Sequence, residues 1–230
     1  MLDRLMWKML SRQTREAIIN RLRISDRQSI DKILSGKSGI PPEFLKTNSL
    51  FIHIPKAAGS SLQHALFGGR VTGHLPLWHY EHASEAFVDG AFKFSFVRNP
   101  IDRACSAYRY LRKTAAHSRD SRFAAVLNRY PSFDAFVRNW LCSENIWLQI
   151  HFCPQWSFLC DKYGDLRMDF VGRYENLERD FSLVCDRLAL DATLAHRNAS
   201  AQQDGHDLSP DSRRRLERIY ERDLDLFGYC

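Results

Sequence analysis

The chain has 230 residues, of which 44% are hydrophobic and 26% charged; that balance fits a folded globular domain and excludes a wholly disordered chain, a collagen-like repeat or a coiled-coil rod. At about 150 residues per domain, the length suits one large domain that needs no disulfide or metal staple. Lys and Arg outnumber Asp and Glu by 33 to 27, a mild basic bias that favours an anionic ligand without choosing among nucleotides, acidic glycans, nucleic acid and anionic lipid.

The N-terminus comes first. Over residues 1–24, Leu2, Leu5, Met6, Met9 and Leu10 recur at helical spacing, with Arg4, Lys8, Arg12 and Arg15 interspersed. This predicts a basic amphipathic helix, suited to an anionic membrane surface or to packing on the rest of the protein. Asp3, Arg4 and Lys8 interrupt the first ten residues, which therefore lack the apolar core of a signal peptide. The expectation is a cytoplasmic protein, peripheral to membrane at most, whose six cysteines are mostly reduced. No CxxC pair or zinc-type His spacing is present, so no metal site is expected. No apolar run approaches the ~20 residues of a membrane-spanning helix.

Ser35–Gly39 followed by Pro41-Pro42 is a cluster of breakers. It separates an N-terminal extension, residues 1–45, from a main domain, residues 46–230. In the main domain, Leu50–Ile54 reads as a buried strand, and Leu62, Ala65 and Leu66 as a helix stopped by Gly68-Gly69. Ala91–Val97 alternates like a strand. Asn99 and Pro100 then suit the N-cap and first position of a helix, with Asp102 in its first turn and Ile101, Ala104, Cys105, Tyr108 and Leu111 on its apolar face. Residues 112–130 are expected as an ordered loop or helix, Ser132–Leu141 as a helix, and Asp169–Gly172 as a strand end. A helix over Leu177–Ala189, a loop over 198–209 and one terminal helix over Pro210–Asp225 complete the reading. Strand–helix alternation of this kind predicts an α/β fold with a mainly parallel sheet.

Two loops carry the chemistry. In the first, His53-Ile54-Pro55-Lys56-Ala57-Ala58-Gly59-Ser60-Ser61 runs from a strand into a helix. Small residues let the backbone approach an anion, and a helix start supplies unpaired N–H groups and a partial positive charge. Ser60 and Ser61 add hydroxyls, and Lys56 adds a full charge. A Walker A loop would place Lys directly after its last Gly, whereas Lys56 precedes Gly59. In the second loop, Val97-Arg98-Asn99-Pro100 puts Arg98 at a strand's carboxyl end, where open α/β sheets bind ligands. Arg98 offers a rigid donor fork and Ser106 a hydroxyl on the next helix, which together suit a second phosphate.

These two segments resemble the two cofactor motifs of sulfotransferases. The chain is most similar to the carbohydrate-type family 2 group, heparan sulfate 2-O-sulfotransferase-like, in a short bacterial-type form. Gly73-His74-Leu75-Pro76, Phe170-Val171-Gly172-Arg173-Tyr174-Glu175-Asn176-Leu177-Glu178 and the ending Ile219-Tyr220 to Tyr229 are also similar to that family. The resemblance spans about residues 49–229 and implies a three-layer sandwich around a mainly parallel sheet, the P-loop-kinase-like sulfotransferase fold. It implies an O-sulfotransferase that uses 3′-phosphoadenosine 5′-phosphosulfate (PAPS) as co-substrate, without a metal. Carried over by position, Lys56, Ala57, Ala58, Gly59, Ser60 and Ser61 would hold the 5′-phosphosulfate, Arg98 and Ser106 the 3′-phosphate, and His74 would be the base. Arg173 and His196–Ser200 are further cofactor candidates. The chain departs from the heparan sulfate enzyme's His-x-His, reading Thr72-Gly73-His74 instead.

A neutral imidazole is a suitable base near neutral pH. His53, His79, His82, Glu81 and Glu85 are rivals of His74 for that role. Trp78, Tyr80, Trp147 and Trp156 could stack on a sugar ring. The expected acceptor is a carbohydrate or other hydroxyl compound. No DNA- or RNA-binding motif occurs, so nucleic acid is not an expected partner. Two alternatives stand beside this reading: a nucleotide-dependent phosphotransferase with an atypical phosphate loop, and a non-catalytic sulfotransferase-like binding protein.

Overall fold

A computed structural model describes residues 2–114, 121–194 and 208–229. Four helices precede the sheet: α1 (Leu2–Met9), α2 (Arg12–Ile19), α3 (Ile24–Leu34) and α4 (Pro42–Thr47). Three strands, β1 (Ser49–Ile52), β2 (Phe92–Val97) and β3 (Phe170–Arg173), form a parallel sheet in the order β1-β2-β3. Phe94 of β2 lies opposite Phe51 on one side and Phe170 on the other.

Parallel strands need crossovers, and helices provide them. Between β1 and β2 run α5 (Gly59–Phe67), α6 (Leu77–Ala83) and α7 (Glu85–Gly90). Between β2 and β3 run α8 (Pro100–Thr114), α9 (Ser121–Leu127), α10 (Phe133–Asn139), a 3₁₀ turn at Asn145–Leu148 and α11 (Trp156–Leu159). After β3 come a 3₁₀ turn at Tyr174–Asn176, then α12 (Leu177–Leu188), α13 (Pro210–Ile219) and α14 (Glu221–Phe227). Every residue of β1, and all of β2 after Phe92, is buried. Successive side chains point to opposite faces, so both faces of the sheet are covered, as an α/β sandwich requires. One apolar core surrounds the sheet. A second, made by α8, α9, α10 and α13, centres on Tyr108, Phe136, Phe152 and Tyr220.

Several local expectations hold for the physical reasons given. Gly68 ends α5 in the left-handed conformation at φ 74°. Asn99 Oδ1 accepts the N–H of Ile101 (3.0 Å), capping α8. The first strand is shorter than expected, ending at Ile52. The single N-terminal helix over 1–24 is corrected to two, because Ser11 caps a new start by accepting the Thr14 N–H (3.1 Å). The single terminal helix is likewise divided at Tyr220, whose buried hydroxyl donates to the Phe152 carbonyl (2.8 Å) and fixes the break. Helix α3 packs against the segments that flank β2: Trp78 Nε1 donates to Asp26 Oδ1 (3.2 Å), and Arg23 lies 5.0 Å from the Trp147 ring centre. Among the described residues, no helix is long and apolar enough to cross a membrane. Cys105, Cys142, Cys153, Cys160 and Cys185 are free thiols; Cys230 lies outside the described residues.

Candidate active site at the carboxyl ends of β1 and β2

β1 ends at Ile52, and the chain turns through His53–Ala58 into α5. Lys56 (φ 68°) and Ala58 (φ 62°) both occupy the left-handed region. Side chains with a Cβ enter it at a cost of about 1–2 kcal/mol per residue. Ala58 stands at the N-cap without a side-chain cap bond, so the opening N–H groups of α5 receive no acceptor from that side chain. Successive amides in such a turn form an anion-binding concavity. Ala57 and Gly59 are buried, Ala58 and Ser61 half-buried, and Ser60 exposed. A Cβ on residue 59 would overlap the His53 imidazole, so close approach, rather than a turn, demands glycine there.

The His53 ring is held by Gln63, one turn into α5. Gln63 Oε1 accepts the N–H groups of Val71 (2.8 Å) and Thr72 (2.7 Å). Its amide nitrogen donates to the Thr72 carbonyl (3.2 Å) and to His53 Nδ1 (2.8 Å). His53 therefore keeps its proton on Nε2. Burial, reinforced by the neighbouring His74, pushes its pKa well down. His74 Nδ1 lies 3.0 Å from the His53 carbonyl oxygen. A carbonyl only accepts, so Nδ1 carries the proton and the lone pair of the neutral His74 ring sits on Nε2. The His53 and His74 ring centres are 4.3 Å apart.

The second loop is held differently. Arg98 is buried at the end of β2, its guanidinium 4.3 Å from the Tyr174 ring centre. Its backbone is clamped on both sides by buried Gln155: Arg98 N donates to Gln155 Oε1 (2.9 Å), and Gln155 Nε2 donates to the Arg98 carbonyl (2.8 Å). Asp223 of α14 holds the clamp, accepting the N–H groups of Gln155 (2.7 Å) and Trp156 (2.8 Å). Burial raises the Asp223 pKa, and the charge of Arg103 pulls it back. Arg103, fully buried on α8, donates to the carbonyls of His151 (3.0 Å) and Cys153 (2.6 Å). Ser106 sits half-buried one turn further along α8.

The two loops meet around Lys56. Its ammonium lies 4.1 Å from the Tyr110 ring centre. Burial, and then the charge of Arg98, lower its pKa to about 8. His151 is buried 6.1 Å from His74 and 5.3 Å from Tyr110, between ring centres. Burial, followed by the charges of His74, Lys56 and Arg103, pushes its pKa down to about 3. Arg98 thus disfavours the charged form of Lys56, and His74 and Lys56 that of His151; an anion beside Lys56 and Arg98 would relieve the repulsion between those two cations.

A mixed α/β fold with these loops at adjacent parallel strand ends defines a ligand-binding sheet edge, and the chain's similarities give it a family. The model of the sulfotransferase family matches residues 77–230, more than half of the chain; the protein belongs to that family. That segment includes Arg98 and α14 and begins after His74. An uncharacterized protein of Archaeoglobus fulgidus is 31% identical over 134 residues, which cover 57% of this chain and 97% of that relative. No solved structure matches the chain.

Of the remaining sequence candidates, Arg173 ends β3 opposite Val97, beside the Arg98 loop, and the others lie elsewhere. Arg173 donates to the carbonyls of Phe227 (2.6 Å) and Gly228 (3.2 Å) and lies against the Tyr229 ring. His79 is buried on α6 beside Trp78 and Tyr80, its pKa lowered to about 4 by burial and then by Lys32. Glu81 is half-buried on the same helix, His82 is exposed there, and Glu85 is exposed on α7. Tyr80 is a core residue that shares a 2.7 Å hydrogen bond with Thr72. Trp147 and Trp156 stack edge to face. His196–Ser200 lie outside the described residues. Sequence reasoning missed Tyr110, His151, Gln63, Gln155 and the clamping role of Asp223. Tyr110 alone had a signal, four residues after Ser106 on the same helix.

Proposed function

We propose that this sulfotransferase-family protein moves a sulfuryl group from PAPS to a hydroxyl acceptor, a carbohydrate of the kind taken by the heparan sulfate 2-O-sulfotransferase-like group. The observation that carries the reading is the apposition of Lys56 and Arg98 at the ends of neighbouring strands. PAPS has two anionic ends, and the two loops offer two cationic sites of different build. The β1 loop, with Lys56, the amides from Ala57 to Ser61 and the serine hydroxyls, suits the phosphosulfate. Arg98 and Ser106 suit the 3′-phosphate. When bound, PAPS supplies the transferable sulfuryl group and a bisphosphate leaving group. Arg173, at the end of β3 opposite Val97, is a further candidate for the cofactor, its guanidinium also holding the end of α14. The transferase domain is assigned to residues 46–230, with residues 1–45 as an extension that packs on it through α3.

In this reading, the Lys56 ammonium and the dipole of α5 balance the charge that develops on the leaving oxygen. Protonated Lys56 is the competent form, so its lowered pKa makes the charge responsive to pH near 8. The Nε2 lone pair of His74 takes the acceptor's proton, an effect typically worth about 10²–10⁴-fold. The bond from His74 Nδ1 to the His53 carbonyl keeps that lone pair on Nε2. Burial keeps His53 and His151 neutral, so neither adds a competing charge beside the base.

A thermal-shift titration with adenosine 3′,5′-bisphosphate, AMP, ADP and magnesium ATP tests the reading. Bisphosphate at 100 times its Kd should stabilise the protein by ~2.7 kcal/mol, or roughly 5–10 °C for a chain of this size. AMP should give little. A shift with magnesium ATP alone would replace the proposal with a phosphotransferase, and no shift with any nucleotide would favour a non-catalytic role.

A further inference from the structure

The first 24 residues contain six basic and two acidic side chains, so they hold +4 of the chain's net +6. Helix α1 turns buried Trp7 toward the protein. It leaves Leu5 64%, Met6 60% and Met9 80% exposed. Positions 5, 6 and 9 share one helix face. Helix α2 buries no side chain, and its Ile18 is also exposed. Single exposed apolar residues are ordinary. Here three lie together, within a segment of net charge +4. Lys8 is exposed within the apolar group, and Arg15 and Arg21 follow on and after α2; Arg12 is paired with Glu16 at 2.9 Å.

We infer that α1 and α2 dock this protein on the surface of an anionic lipid bilayer. An apolar face with a basic flank is the pattern of a helix lying in the headgroup region. Methionine and leucine enter the acyl boundary, while Lys and Arg stems reach back to lipid phosphates. Charge argues against a second copy as the occupant, since a symmetric contact would set +4 against +4. The docking does not depend on the proposed reaction. It bears on the site through α3, which joins the exposed helices to the histidine loop: a Cβ on Gly73, next to His74, would meet the Gln28 amide.

The test is co-sedimentation of the full chain with vesicles of phosphatidylcholine alone or mixed 3:1 with phosphatidylglycerol. Light scattering without vesicles and circular dichroism of each variant accompany it. Binding is expected with the mixed vesicles only, and should weaken steeply as salt is raised. Lys8→Gln and Arg15→Gln should each lower vesicle affinity about fivefold. The double variant Met6→Glu, Met9→Glu should lower it by more than about tenfold with its circular dichroism unchanged. Three results would overturn the inference: a natively folded protein that pellets with neither vesicle; binding that the double glutamate variant leaves intact; or a vesicle-independent dimer that this variant dissolves, which would assign the face to a second copy.

Discussion

The loops after β1 and β2 both present positive charge at a strand end, yet they are built by opposite means. The β1 loop is made from its own backbone. Two left-handed residues, Lys56 and Ala58, aim the chain, and a helix start supplies donors within nine consecutive residues. The β2 loop is made by distant side chains. Arg98 stands where it does because Gln155 grips its backbone and Asp223 grips Gln155. A backbone-built site stores strain locally and tolerates change elsewhere. A scaffolded site carries little local strain but fails when a remote residue is lost. The histidines differ too: the His74 ring bonds the His53 carbonyl, whereas His151 is held at its own carbonyl by Arg103 of α8 and at its ring by nearby Gln149.

The largest effect should come from breaking the scaffold. Asp223→Ala leaves the N–H groups of Gln155 and Trp156 without their acceptor, at about 1–3 kcal/mol for each buried donor. The midpoint of thermal unfolding should fall by roughly 5–20 °C, with weaker bisphosphate binding below it. Retention of both would mean that Arg98 needs no clamp. Lys56→Ala should do the reverse: transfer to an accepted hydroxyl should slow by about 10²–10³-fold, while calorimetry shows an almost unchanged fold. Equal damage to stability would erase the distinction between the loops. His74→Ala should likewise cost about 10²–10⁴-fold in turnover with little change in bisphosphate affinity.

A pH titration sharpens the comparison further. Anions bind the protonated form of Lys56, whose pKa is lowered to about 8 in the ligand-free protein. Bisphosphate affinity, followed by calorimetric titration, should therefore hold near pH 7 and weaken by up to about tenfold as pH rises to 9, by proton linkage. Lys56→Arg should flatten the profile; an equally steep one would place the titrating group elsewhere. The smallest effect concerns strain. Ala58→Gly removes a Cβ from a left-handed residue and should stabilise the protein by about 0.5–1 kcal/mol, after the entropic cost of glycine in the unfolded chain. A destabilised variant would show that the loop is relaxed.

The β1 loop was legible in sequence because its device is local: small residues, one lysine, a strand before and a helix after. The Asn99 cap and the Gly68 stop were legible for the same reason, since each depends on neighbours within a turn. The parallel α/β arrangement followed from the alternation of strand and helix signals. The breaks at Ser11 and Tyr220 were less visible. An amphipathic pattern runs through both, and only a side-chain cap or a buried hydroxyl's bond across the core decides where the helix stops. Gln63 looked like an ordinary helix residue until folding brought Val71, Thr72 and His53 to its amide. His151, Gln155 and Asp223 had no local signature at all, because their roles arise from contacts between segments tens of residues apart. By itself, the sequence determined which residues could cradle an anion and how strands and helices alternate, since both follow from short-range sterics and periodicity. The tertiary structure alone decided which side chains hold Arg98, how His74 carries its proton and which N-terminal face is left to solvent, since those depend on what long-range packing brings within hydrogen-bond reach.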